Sequence, residues 1–223
     1  SQYLIKWKNG VIKKVHAESM KELKEKWTEK YGDQIDFIEA DVRLKIPTPQ
    51  VEIHTESTIS DWAHERIQTE AAWNTGVTGQ GVIVAVIDSG VNVSHPQLAA
   101  QIAVNKNEIP NNNIDDDGNG YIDDYLGYNF FTQSGQIDDE NGHGTHVAGI
   151  IAAEHIGDTK PKGVAPGAKI LALSFMSSEG YGTTSAAIEA MYYAHQRGAK
   201  VINASWGSAE CSLALQEAIQ EVT

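Results

Sequence analysis

The chain has 223 residues, 41% of them hydrophobic, which is enough for one sizeable core or for one core and a small domain. Thirty acidic against 17 basic side chains give a formal charge of −13, which repels nucleic acid and anionic membrane and makes calcium the natural partner. A single cysteine, Cys211, excludes an intrachain disulfide, and no apolar run approaches the ~18 residues of a membrane span.

The charge is unevenly spread. Residues 1–50 hold ten basic and eight acidic side chains, so the negative surplus lies beyond them and suggests two units. In the first unit, runs 3–8 and 11–15 read as strands around Asn9-Gly10, the strongest short hairpin signal. Ser19, with Glu22 three residues on, caps a helix that runs to Tyr31 and stops at Gly32. Its Leu23 and Trp27 share one face, and Ile35–Ile46 reads as one further extended run. Residues 1–46 are thus expected to form a small ββαβ unit with too little core to stand comfortably alone. Pro47 and Pro49 open a polar linker over residues 47–60.

The pattern changes in residues 61–223. Ser60 or Asp61 is expected to cap a short helix, and Thr69 precedes Glu70-Ala71-Ala72-Trp73, a second helical turn. Val82–Ile87, Lys169–Phe175 and Lys200–Ser205 are continuous apolar runs of the fully buried kind. Helical patterns lie at Thr145–Glu154, Thr184–Gln196 and Leu213–Val222. This alternation predicts an α/β fold with a doubly wound parallel sheet and a ligand site beyond the carboxyl ends of its strands.

Two motifs sit where such a site belongs. The run Val84-Ala85-Val86-Ile87 ends on Asp88-Ser89-Gly90, and a buried carboxylate needs a partner. In Asn141-Gly142-His143-Gly144-Thr145-His146, a histidine boxed by glycines stands at the start of a small-residue helix. An acid and a histidine so placed are two thirds of a hydrolytic triad, with Asp88 fixing the tautomer of His143. Taken singly, Asp88 also reads as a capping residue and His143 as a structural turn histidine.

Together with Gly163-Val164-Ala165-Pro166 and Val201-Ile202-Asn203-Ala204-Ser205-Trp206-Gly207, these motifs resemble the subtilisin family of serine proteases from about residue 61 onward. The resemblance implies a serine endopeptidase with Asp88 as triad acid and His143 as base; His146 falls on the family's second, non-catalytic histidine. It also implies a peptide-binding edge at Gly180, Tyr181 and Gly182 on one side and Ser205, Trp206 and Gly207 on the other. There an extended substrate adds as a β-strand. Met176 would lie near the second subsite, and the small Thr184 and Ala187 would leave the fourth roomy. Gly182-Thr183-Thr184-Ser185 only faintly echoes the family's nucleophile box. Ser185 comes too soon after His143 and stands at a helix start, where capping explains it. The nucleophile and the oxyanion asparagine are therefore expected on a remainder of the catalytic domain outside this chain, so that these residues alone hydrolyse nothing. The runner-up reading is a non-catalytic peptide-binding or scaffold relative.

Asp115-Asp116-Asp117-Gly118-Asn119-Gly120-Tyr121-Ile122-Asp123-Asp124 fits the calcium pattern D-x-[DN]-x-[DN]-G. Asp115, Asp117 and Asn119 would offer side-chain oxygens, Tyr121 its carbonyl and Asp123 a further ligand. Position twelve is Leu126, so the closing ligand is expected to be Asp124, another residue or water. A common calcium-anchoring aspartate of the family is replaced by Gln97. The first unit resembles part of the subtilisin propeptide, which implies an inhibitor of its own protease, processing within residues 47–60, and a zymogen while the two remain joined. A secreted protein, stabilised by calcium in place of disulfides, is the expected setting.

Overall fold

A computed structural model describes residues 1–47, 62–157 and 161–223. Expectations that fall on 48–61, the linker and the cap at Ser60 or Asp61, lie outside the described residues. The elements in chain order are β1 (Gln2–Trp7), β2 (Ile12–His16), α1 (Met20–Tyr31), β3 (Ile35–Ala40), β4 (Arg43–Lys45), α2 (Trp62–Ile67), α3 (Thr69–Trp73), β5 (Ile83–Asp88), β6 (Gly127–Asn129), α4 (His143–Ala152), β7 (Lys169–Ser174), β8 (Tyr181–Thr183), α5 (Thr184–Gln196), β9 (Val201–Asn203) and α6 (Leu213–Val222).

Four strands form a parallel sheet in the order β6-β7-β5-β9. Its two central strands are buried on both faces, and their side chains alternate between two layers. Ala85, Ile87, Leu171 and Leu173 pack with Ala187, Ala190 and Met191 of α5 on one side. Val84, Val86, Ile170 and Ala172 pack with Val147, Ala148 and Ala152 of α4 on the other. This two-residue alternation, with apolar residues on both phases, is why the sequence reads as continuous hydrophobic runs. It also fixes the register: a slip of one residue would swap the two cores.

The first unit is an antiparallel sheet ordered β2-β1-β3. Tyr3 and Ile5 of β1 face Leu23 of α1, while Leu4, on the opposite phase, packs against Ile188 of α5 and Ala214 and Ala218 of α6. The second face of this sheet is therefore covered by the larger unit. Three expectations shift. The extended run Ile35–Ile46 breaks at Asp41-Val42 into β3 and β4, and β4 leaves the first sheet to pair antiparallel with β8. The third core strand shortens to Val201–Asn203. The helix expected from Thr145 begins at His143 and ends at Ala152, because the backbone N–H groups at its start find acceptors in Asp139.

Candidate active site

Asp88, at the carboxyl end of β5, and His143, the first residue of α4, meet across 55 residues of sequence: His143 Nδ1–H donates to Asp88 Oδ1 at 2.7 Å. Asp88 is fully buried. Ser89 N–H donates to the same oxygen at 2.8 Å, and Oδ2 is buried without a partner among the described residues. Burial raises the Asp88 carboxyl above its ordinary value; the hydrogen bonds from His143 and Ser89 pull it back without cancelling that effect. Fixing Nδ1 as the donor leaves Nε2 as the lone pair of a ring that is 20% exposed.

A second tie holds strand end and helix start together. Gly144 N–H donates to Ser89 Oγ at 3.0 Å, and Ser89 Oγ–H donates to Asp139 Oδ1 at 2.8 Å. Asp139 also accepts from Gly142 N–H at 2.8 Å, Thr145 N–H at 2.8 Å and Thr145 Oγ–H at 2.6 Å. Burial pushes the Asp139 carboxyl up, but the bonds from Thr145, Gly142 and Ser89 outweigh it and hold it below the ordinary carboxylate range. Gly142, at the cap position, has no side chain, so Asp139 serves as cap from three residues upstream. Gly144 permits the close approach, since a Cβ there would lie 2.1 Å from Gly90 O.

The two expected edge segments lie on either side of β4. Arg43, Leu44 and Lys45 pair antiparallel with Thr183, Gly182 and Tyr181. On the other edge, Lys45 and Gly207 exchange N–H···O bonds, both 3.0 Å. Ile46 N–H donates to Gly180 O at 3.2 Å. The Arg43 guanidinium stacks 3.6 Å over the Tyr181 ring, and Leu44 is buried in the core with Ala187, Met191 and Phe175. Of the glycines, Gly180 makes room for this strand: a Cβ there would meet Ile46 Cγ1 at 2.6 Å. Gly182 instead answers to Phe175 O at 2.5 Å, and Gly207 has open space. Trp206 Nε1–H donates to Ile87 O at 2.7 Å, tying this edge to the strand that ends on Asp88. The Gly180 edge reaches the histidine turn through Asn141 Nδ2, which donates to Ser178 O at 2.9 Å.

Two carboxylates of the first unit cap helices of the second. Asp41 accepts from Ser185 N–H at 2.9 Å and Ser185 Oγ–H at 2.7 Å, at the start of α5. Ser185 is thus bound to Asp41 through both its N–H and its hydroxyl. Glu39 accepts from Ser212 Oγ–H, Leu213 N–H and Ala214 N–H at 2.6, 2.9 and 3.3 Å, at the start of α6. Lys6, almost wholly buried, pairs with Glu217 of α6 at 3.0 Å.

The acidic loop is ordered by its own N–H groups. Asp115 accepts from Asn119 and Gly120, and Asp117 from Asn119 N–H and from Asn105 Nδ2. Asn119 Oδ1 takes Tyr121 N–H, and Asp123 accepts from Asn112 and Asn113. The carboxylates that converge are those of Asp115, Asp117 and, from outside the loop, Glu108. Gln97, in place of an aspartate, donates through its amide to Glu154 O at 2.8 Å and Pro161 O at 2.7 Å. A neutral donor there ties down carbonyls.

The sequence did not single out Asp139, Glu108, Glu39 or Asp41. Asp139 stands three residues before a glycine cap and carried a readable capping signal. Glu39 and Asp41 act on groups far along the chain, and Glu108 on a loop that must first fold back onto it; no local pattern marks them.

Residues 79–222 match the subtilase family. The chain is 32% identical over 191 residues to an alkaline protease of Alkalihalobacillus alcalophilus, covering 86% of this chain and 43% of that protein. It is 35% identical over 162 residues to subtilisin BL of Lederbergia lenta (73% and 51%) and 33% identical over 155 residues to thermitase of Thermoactinomyces vulgaris (70% and 47%). The protein therefore belongs to the subtilase family, and its chain spans about half the length of these relatives.

Proposed function

We propose that these residues are an inhibitory propeptide unit and the amino-terminal part of the catalytic domain of a calcium-dependent, secreted serine endopeptidase. The observation that carries the reading is the 2.7 Å bond from His143 Nδ1–H to a fully buried Asp88. In this reading Asp88 holds the imidazole in one tautomer and stabilises its charged form. His143 Nε2 takes the proton of a serine hydroxyl as that oxygen attacks the peptide carbonyl, then returns it to the leaving amine. The serine and the oxyanion donor would come from catalytic-domain residues outside these 223, consistent with the half-length match to the relatives. Residues 1–46 would be the propeptide, processed within 47–60. Support comes from β4, which lies between Tyr181–Thr183 and Gly207 as an extended peptide substrate would. Leu44 would occupy the fourth subsite, beside Ala187 and Met191, so that site would take a large aliphatic or aromatic side chain.

Calcium suits the acidic loop. Every candidate ligand is an oxygen, and glycines at positive φ (Gly118 at 70°, Gly120 at 95°) let the backbone turn tightly. Asp115 and Asp117 would hold the ion. A cation there stands in for the disulfide that the exposed, single Cys211 cannot make. Among the described residues no helix is long and apolar enough to cross a membrane.

The test is hydrolysis of an extended peptide by the full-length protein. The wild type is expected to cleave it. Asp88→Asn should lose about 10⁴-fold in kcat with its binding little changed. Binding without turnover by correctly folded wild type would favour the scaffold reading instead.

A further inference from the structure

We infer that Glu108 is the closing ligand of the cation site in the acidic loop, supplied from outside the loop. The inference rests on the calcium reading above and names the residue that completes it. An ordinary loop of this pattern ends on a bidentate carboxylate at its twelfth position, and here that position is Leu126. The nearest acid to it in sequence, Asp124, is fully committed. Asp124 is wholly buried and accepts from Asn105 Nδ2 at 2.6 Å, Asn119 Nδ2 at 2.8 Å and Tyr193 O–H at 2.5 Å, with Arg197 Nη1 at 3.4 Å. Its charge is spent on joining the loop to α5.

Glu108 is in the opposite condition. It is 4% exposed. Its Oε1 accepts from Asp116 N–H at 2.8 Å and Asp117 N–H at 3.2 Å, which anchors the carboxylate against the loop backbone. Its Oε2 is buried and has no hydrogen-bond partner among the described residues. A buried carboxylate oxygen left without a donor is costly, and this one lies beside further negative charge. One carboxylate oxygen each from Glu108, Asp115 and Asp117 fall within 4.8 Å of one another. Among the described residues no lysine or arginine pairs with the cluster; Asn105 Nδ2 supplies only a neutral donor to Asp117. A divalent cation ligated by Glu108 Oε2 satisfies the orphaned oxygen and offsets the mutual repulsion together. With three carboxylates engaged, the remaining positions of the six to eight that calcium takes fall to carbonyls and water.

The test uses the full-length protein, with calcium as the probe, calorimetry for affinity and thermal melts in chelator and in calcium. Glu108→Gln keeps an Oε1 acceptor for Asp116 and Asp117 N–H and replaces only the orphaned oxygen. Wild type is expected to bind calcium in this loop and to melt higher with it. Glu108→Gln should bind at least about tenfold more weakly. It should also melt at or above wild type in chelator, where the buried charge is gone, and below it in calcium. That crossing is what a merely structural glutamate would not give. If Glu108→Gln binds calcium like wild type while Asp115→Asn does not, the loop site stands and Glu108 is not its ligand. If Glu108→Gln melts below wild type by the same margin in both buffers, Glu108 is a loop cap and the inference falls. If wild type binds no calcium, both the inference and the calcium reading fall.

Discussion

Asp88 and Asp139 sit 55 and four residues from His143; burial raises both carboxyls, but hydrogen bonds outweigh it only at Asp139, so their net shifts are opposite. The Asp88 carboxyl is raised, so its ionised form is disfavoured by folding. The stability it contributes is full below the unfolded value of about 3.9 and is lost as pH rises through the higher folded value. Asp88→Asn is therefore expected to melt at or above wild type at neutral pH, with the advantage vanishing in acid, although it disables the proposed chemistry. Thermal melts of both proteins across pH check this. The Asp139 carboxyl is lowered, so its contribution is present above the unfolded value and is lost as pH falls through the folded one. Asp139→Ala removes the cap of α4 and should cost about 1–2 kcal/mol at neutral pH, shrinking in strong acid. Because Asp139 also holds Ser89 against Gly144, the same substitution should broaden or shift the imidazole nitrogen resonances of His143 in NMR spectra. Loss of stability with an unchanged His143 spectrum would reduce Asp139 to a simple cap.

At the scale of elements, β4 is the informative one. It is held on both edges by backbone bonds, and its flanking Glu39 and Asp41 cap α6 and α5. A cap contributes about 1 kcal/mol, so Glu39→Gln with Asp41→Asn should loosen residues 2–46 from the larger unit. Hydrogen exchange is expected to rise along β1 and β3 and at the starts of α5 and α6 together; a rise confined to one helix would contradict a shared interface. Gly180→Val, which places a Cβ where Ile46 now lies and forces a β-branched residue to φ +75°, should free β4 with little effect on the β5–β7 core. The sequence showed the core strands and the Asp88–His143 pair, because buried parallel strands and glycine-flanked helix starts are local signals. It did not show the break at Asp41-Val42. That break is set by the pairing of β4 with β8, a contact between residues far apart in the chain. Nor could it show Glu108, whose part depends on the loop folding back onto it.

For the molecule as a whole, the two units complete each other. The first has a small core of its own, in Tyr3, Ile5 and Leu23, and its other sheet face is covered by α5 and α6. The second offers, beyond the carboxyl ends of its strands, an acid–histidine pair beside an edge that β4 fills. In the proposed function this becomes a serine peptidase site assembled with further catalytic-domain residues and blocked by residues 43–46 until processing. The most direct measurement is labelling of the processed, full-length protein with a serine-reactive fluorophosphonate. One labelled serine outside residues 1–223 is expected, with labelling abolished by His143→Ala and no label on the 223-residue chain alone. A correctly folded, processed full-length protein that takes no label, or takes it equally well with His143→Ala, would contradict the proposed function.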